Sequence, residues 1–236
     1  MKADEDYGFD VAGFLRIEKA LTAEEVADCN KAIGAAGAQE GDLAVALRNH
    51  PVVHEYLESL CGADFVLDQP PSLVADGADP STAQLTAGDP ERNRRLRYVN
   101  NGKDRVCHGV RVVVALAPTP DDGGVVLVPA SHNRLGDPPQ GFLDGADPLG
   151  MTQEPVLEAG DMLVCAATCL HGVRGRPGRL LVMEFISARA MPADGYPEVE
   201  PPEWTAELTP AQRAVIGTRT SGRGGKVLSN GERTWV

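Results

Sequence analysis

No stretch of 18 consecutive apolar residues occurs in this chain, and its first ten residues, MKADEDYGFD, are acidic. A membrane span needs about 20 apolar residues, and a secretory leader needs a basic start followed by an apolar run. Positive charge is scarce: 22 Lys and Arg stand against 34 Asp and Glu, for a formal charge of −12. Nucleic acid and anionic lipid both demand basic surface, so neither is an expected partner. CxxC spacing is missing too. The five cysteines, Cys29, Cys61, Cys107, Cys165 and Cys169, are odd in number and sit in apolar stretches. There a thiol behaves as a small hydrophobe, and reduced, buried thiols are the expectation for a cytosolic chain. These absences leave the expectation of a soluble cytoplasmic protein.

What is present suits one domain. The 236 residues are 42% hydrophobic, enough for a real core. Residues 7–187 read as that core, and 188–236 as a C-terminal extension with a short helix at Thr209–Ile216 and an irregular Gly-rich tail. Tyr7 to Ile17 reads as extended. Thr22 and Glu25 then form a capping box, a hydroxyl followed by a carboxylate three residues on, ahead of the helical stripe Leu21, Val26, Cys29, Ile33. A second helix is expected from Pro51 to Leu60, with Gly62 as its stop. His50 and His54, four apart around its start, have zinc-compatible spacing but no third ligand, and read as a solvated first turn.

The remainder is β-like. Phe65 to Leu67 starts it, and Pro70 to Pro90 reads as a long loop. A basic patch, ERNRRLR (Glu91 to Arg97), is either a solvated strand edge or a place for an anionic substrate. Val106 to Ala117 (VCHGVRVVVALA) is the strongest strand signal, and PTPDDGG should turn it into a hairpin with Val125 to Pro129. Glu154 to Glu158 is expected to be extended. Two further strands, Met162 to Cys165 and Leu180 to Ile186, flank a polar turn that carries His171 and Arg179. An imidazole at a strand end can bind a metal, and a guanidinium can clamp a carboxylate through two parallel bonds. Short strands after a helical start, with no strand–long-helix alternation, predict a mainly β fold with flanking helices. The expected form is a distorted jelly roll, a cupin-like double-stranded β-helix.

Four stretches, in order, resemble the phytanoyl-CoA dioxygenase family of iron(II)/2-oxoglutarate oxygenases. They are YGFDVAGFLRI with LTAEEV, HPVVHEYLESLCGADFVLD, VVVALAPTPDDGGVVLVPASH, and VLEAGDMLVCAATCLHG with GRLLVMEF. The resemblance implies a jelly roll that holds iron(II) through two histidines and a carboxylate, takes 2-oxoglutarate as cosubstrate, and hydroxylates a small organic molecule. It makes His171 the distal iron ligand and Arg179 the partner of the 2-oxoglutarate carboxylate. His132, in the PASH element, reads as structural.

One departure matters. The family's His-x-Asp element should lie upstream of the valine-rich strand, where QLTAGDPERNRRLRYVNNGKD contains no histidine. Thr86 and Gly88, or Tyr98 and Asn100, fall at the expected positions, and neutral oxygens are poor iron(II) ligands. His108 could supply a second imidazole, since alternation puts it on the face of Val110, Val112 and Val114. Asp89 or Asp104 could supply the carboxylate. The alternatives are a catalytically silent relative that acts as a binding module, and a metal-independent enzyme or sugar binder.

Overall fold

The computed structural model describes residues 1–34, 47, 50–63, 65–74, 85–86, 94–103, 105–120, 124–136, 138–146, 149–175, 178–187 and 190. The expected C-terminal helix and tail lie outside these residues.

Local chemistry sets the helix ends. The segment expected to be extended from Tyr7 instead continues helix α1 (Ala3–Ala12). Asp4, Glu5 and Asp6 crowd its positive end, and the Lys2 N–H donates to Glu5 Oε2 at 2.8 Å. Gly13, at φ +82°, stops it, and strand β1 (Phe14–Ile17) follows. Helix α2 (Ala23–Gly34) begins at the expected capping box. The Thr22 N–H donates to Glu25 Oε2 at 2.7 Å, and the Glu25 N–H donates to Thr22 Oγ1 at 3.2 Å. Helix α3 (Pro51–Cys61) starts on Pro51 and ends at Gly62, as its punctuation predicts. His50 contacts Glu25 Oε1 at 3.0 Å and His54 lies 3.8 Å from Glu58, so the two imidazoles face different carboxylates. Among the described residues no helix is long and apolar enough to cross a membrane.

The strands are β2 (Phe65–Val74), β3 (Tyr98–Asn100), β4 (Arg105–Cys107), β5 (Gly109–Ala115), β6 (Gly124–Leu127), β7 (Met162–Ala166), β8 (His171–Arg174) and β9 (Leu180–Ser187). Five of them form one antiparallel sheet in the order β1-β7-β5-β9-β2. β6 pairs with β8, and β3 with β4. The structure revises four expectations. β2 runs on to Val74, through the start of the expected loop. The strand expected over 106–117 is interrupted at His108, whose N–H donates to Arg97 O and whose carbonyl accepts from the Ser187 N–H. β6 does not form a hairpin with β5; it crosses to pair with β8. β7 and β9 flank β5 in the sheet, and β8 between them in sequence joins β6. Glu154 to Glu158 forms no strand. Its neighbour Gln153 makes a single bridge to Leu127.

The five-stranded sheet is apolar on both faces. Val110, Val112, Val114, Met162, Val164, Leu181, Met183 and Phe185 face α1, α2 and α3 in the larger core, with Phe9, Val53 and Leu57. Val113, Ala115, Leu163, Cys165 and Leu180 face the other way, toward Val125 and Leu127 of β6. Burying each large apolar side chain contributes roughly 1.5–3 kcal/mol, so both faces are energetically committed. All five cysteines are buried free thiols, as expected. This strand arrangement, two antiparallel layers with helices outside, is the cupin-like double-stranded β-helix.

Candidate functional site

Between the two layers lies a cavity of about 310 Å³. Strand alternation decides what reaches it: residues 111 and 113 of β5, 180, 182 and 184 of β9, 72 and 74 of β2, and Cys165 of β7. β6 and β8 close the opposite wall with Val125, Leu127, His171, Gly172 and Val173. Most of the lining is aliphatic. Apart from the Ser72 hydroxyl and the Cys165 thiol, three groups carry the polar chemistry: one imidazole, one guanidinium and one carboxylate.

The imidazole is His171, at the first position of β8. Its Nδ1 lies 2.9 Å from the Cys169 carbonyl oxygen. A carbonyl only accepts, so Nδ1 carries a proton, and the neutral form of the ring is the Nδ1–H tautomer. That is the tautomer of a metal-ligating histidine whose other nitrogen is fixed by a backbone carbonyl. The His171 backbone is held by Thr86, whose N–H donates to the His171 carbonyl at 2.7 Å. Of the two placements considered for the absent His-x-Asp element, the fold therefore brings Thr86 beside His171. Tyr98 instead donates its hydroxyl to Asp10, and Asn100 donates to the same carboxylate.

The guanidinium is Arg111 and the carboxylate Glu184, directly opposite each other on β5 and β9. Arg111 Nε donates to Glu184 Oε1 at 2.9 Å, and Nη2 donates to the same oxygen. Their side chains are only 13% and 12% exposed, so each charge depends on the other. A buried ion left alone would cost several kcal/mol. Sequence reasoning passed over both residues. The signal was a single Arg in a valine strand and a single Glu in LLVMEF, since charges inside apolar strands are found where they are paired. Cys165 shares this cavity, and burial pushes its thiol up, so it stays protonated and neutral at neutral pH.

The other site candidates lie elsewhere. Arg179 precedes β9 with the parity of Leu181 and Met183, on the helix side of the sheet. Its Nη1 donates to Asn30 Oδ1 of α2 at 2.8 Å, while Asn30 Nδ2 donates to the Leu116 carbonyl. It does not line the cavity with His171. His108 lines a separate cavity of about 270 Å³ at the end of α3, with Cys61, Cys107 and Ser187. Alternation grouped it with Val110, Val112 and Val114, but the strand is broken at His108, and the face of those valines packs on helices. Asp89 and Asp104 lie outside the described residues. His132 is buried against α1, with Nε2 at 3.2 Å from the Asp10 carbonyl, as suits a structural histidine. Burial pushes its pKa below the ordinary 6.5, with the Asp10 carbonyl and charge opposing in part.

An iron(II) site of two histidines and a carboxylate can be tested against these residues. His171 offers one imidazole at the cavity wall. Among the described residues no group of three His, Cys, Asp or Glu side chains could hold a metal ion. Glu184 is engaged by Arg111, and the group beside His171 is a threonine. The described residues thus meet the requirement at one position and do not make the site by themselves.

No family model and no curated protein matches the chain. Solved structures do match in fold. HygX from Streptomyces hygroscopicus, with nickel and 2-oxoglutarate bound, superposes with a TM-score of 0.66 at 17% identity, over 80% of this chain and 87% of that one. The epimerase SnoN, in complex with Fe3+, alpha ketoglutarate and nogalamycin RO, gives 0.53 at 20% identity, over 77% and 82%. EctD from S. alaskensis in its apoform gives 0.59 at 16% identity, over 83% and 80%. At these identities the likeness establishes the fold.

Proposed function

We propose that this chain is an iron(II)/2-oxoglutarate-dependent oxygenase of the phytanoyl-CoA dioxygenase kind, acting on a small organic molecule in the cytoplasm. One observation carries the reading: His171 lines the cavity with its tautomer set by the Cys169 carbonyl. Structures alike in fold support it, since HygX has been solved with iron, and with nickel, 2-oxoglutarate and hygromycin B. The five buried thiols fit a reducing compartment. Iron with 2-oxoglutarate would supply the oxidising chemistry. The chain's own part is to present one imidazole and to keep water out with Val113, Leu127 and Val182.

The test is anaerobic addition of Fe(II) and 2-oxoglutarate, watching for the ferrous–oxoglutarate charge-transfer band and, with oxygen, for succinate. The wild-type chain should give both, and His171→Ala neither. Unchanged succinate production in His171→Ala would remove the proposal.

A second reading has its own support. Thr86 stands beside His171, and the described residues supply one metal donor. On that reading the jelly roll is a binding module without catalysis. It predicts no charge-transfer band in the wild-type chain, with small-molecule binding retained.

A further inference from the structure

The cavity's chemistry specifies what part of a ligand it receives. Among the described residues that line it, Arg111 is the only permanent cation. A guanidinium has five N–H donors. Two of them, one on Nε and one on Nη2, converge on a single oxygen, Glu184 Oε1. The two on Nη1 and the second on Nη2 make no hydrogen bond to the described residues. They form the edge of the guanidinium fork that matches a carboxylate with two parallel bonds. Every other wall contributes mainly Val and Leu, which favour an aliphatic body. Arg179, the other candidate for this task, is turned to Asn30 on the far face of the sheet.

We propose that Arg111 is the carboxylate anchor of the cavity, taking an aliphatic carboxylic acid on its Nη1–Nη2 edge while Glu184 holds the opposite edge. Glu184 has two effects. It fixes the guanidinium plane across β5 and β9, so little orientational freedom is lost on binding. Its negative charge also opposes the incoming carboxylate, so the anchor accepts one anionic group and disfavours a second placed beside it. The inference deepens the proposed function by naming what the same cavity grips, and it covers both 2-oxoglutarate and a carboxylated substrate, whose shared chemistry is the carboxylate.

Calorimetric titration of the whole chain separates these sources. The probes are pentanoate, its neutral counterpart pentanamide, and 2-oxoglutarate, each with EDTA and each with Fe(II) under anaerobic conditions. Pentanoate should bind at least about tenfold tighter than pentanamide, the worth of a charge-assisted pair. Glu184→Gln should raise pentanoate affinity by about tenfold, because a like charge is removed while its amide oxygen still accepts from Arg111. The double variant Arg111→Met/Glu184→Met removes both charges of the pair together, so neither is left facing the other's vacancy, and its thermal unfolding beside the wild type checks that the fold is kept. It should bind pentanoate and pentanamide equally, whereas Arg179→Met should behave as wild type. 2-Oxoglutarate that binds with EDTA and is lost in the double variant identifies the keto-diacid as a ligand of this anchor. Pentanoate discrimination without 2-oxoglutarate binding identifies a carboxylated substrate.

Full carboxylate discrimination in the double variant, loss of it in Arg179→Met, or no binding of any probe would each overturn the anchor. The two proposals fail separately. A wild-type chain with carboxylate discrimination but no charge-transfer band keeps the anchor and loses the oxygenase. A double variant that retains both the band and wild-type 2-oxoglutarate affinity keeps the oxygenase and loses the anchor.

Discussion

Asp161 immediately precedes strand β7, the strand whose far end turns toward His171, and replacing it with Asn should measure how firmly that strand is tied. The carboxyl is 1% exposed. Its Oδ2 accepts from Arg16 Nε at 3.0 Å, Arg16 Nη2 at 2.6 Å and the Glu158 N–H at 3.0 Å, while Oδ1 accepts from the Lys19 N–H at 2.9 Å. An amide presents one acceptor and one donor group. Whichever way the Asn side chain turns, a backbone N–H, of Glu158 or of Lys19, meets an NH2 and loses its partner. A buried orphaned N–H costs about 1–3 kcal/mol. The bond to Arg16, whose side chain is 34% exposed, adds about 1 kcal/mol after screening. Asp161→Asn should therefore lower stability by about 2–4 kcal/mol, and the thermal midpoint by roughly 5–15 °C.

Urea denaturation with unchanged slope is the assay, repeated across pH. Burial pushes the Asp161 pKa up, but the Lys19 N–H, Arg16 and the Glu158 N–H outweigh it and hold the carboxyl below its ordinary 3.8. A depressed carboxyl stabilises the fold above its unfolded value, and that contribution disappears as pH falls through the folded value. The gap between wild type and variant should be full at pH 7 and should close below about pH 4. A difference under about 0.5 kcal/mol at pH 7, or a gap that does not narrow as the pH is lowered, would refute the reasoning.

Two predictions concern the packing of α1. A Cβ added at Gly13 would lie 2.3 Å from His132 Nδ1, at a φ of +82°, so Gly13→Ala should destabilise the chain by more than about 1–3 kcal/mol in thermal unfolding. His132 is held neutral by burial, its pKa below 6.5. The unfolded chain then takes up the proton first, so stability should be full above that value and decline as pH falls through it. His132→Asn, followed by urea denaturation between pH 7.5 and 5, should show a flatter pH dependence than wild type; an identical slope would count against the assignment.

The jelly roll was legible because its signals are local and repeated: the Thr22–Glu25 box, Pro51 and Gly62 around α3, and short β-rich runs with turn residues between them. Partnership between strands was not. β5 is buried on both faces, so its sequence reads as a continuous apolar run with no polar side to orient it. Alternation grouped His108 with the even-numbered valines, yet nothing in the chain says which parity faces the cavity. The same ambiguity hid Arg111 and Glu184, whose meaning depends on β5 lying beside β9, 73 residues apart. His171 could be singled out because its neighbourhood, a strand end next to a polar turn, is visible without the fold, and the fold places it in the cavity wall. α1 was missed because Tyr7 to Ile17 carries aromatic and β-branched residues; the acidic residues before it and Gly13 after it decide the conformation.

That parity has a bearing on how such a protein can change. Positions 111, 113, 180, 182 and 184 face the cavity, while 110, 112, 114, 181, 183 and 185 brace the helices. Substitutions along one register can remould the chamber while the scaffold on its reverse stays as it was. A lineage can therefore exchange one occupant for another through alternate residues of two strands, with the architecture behind them left standing.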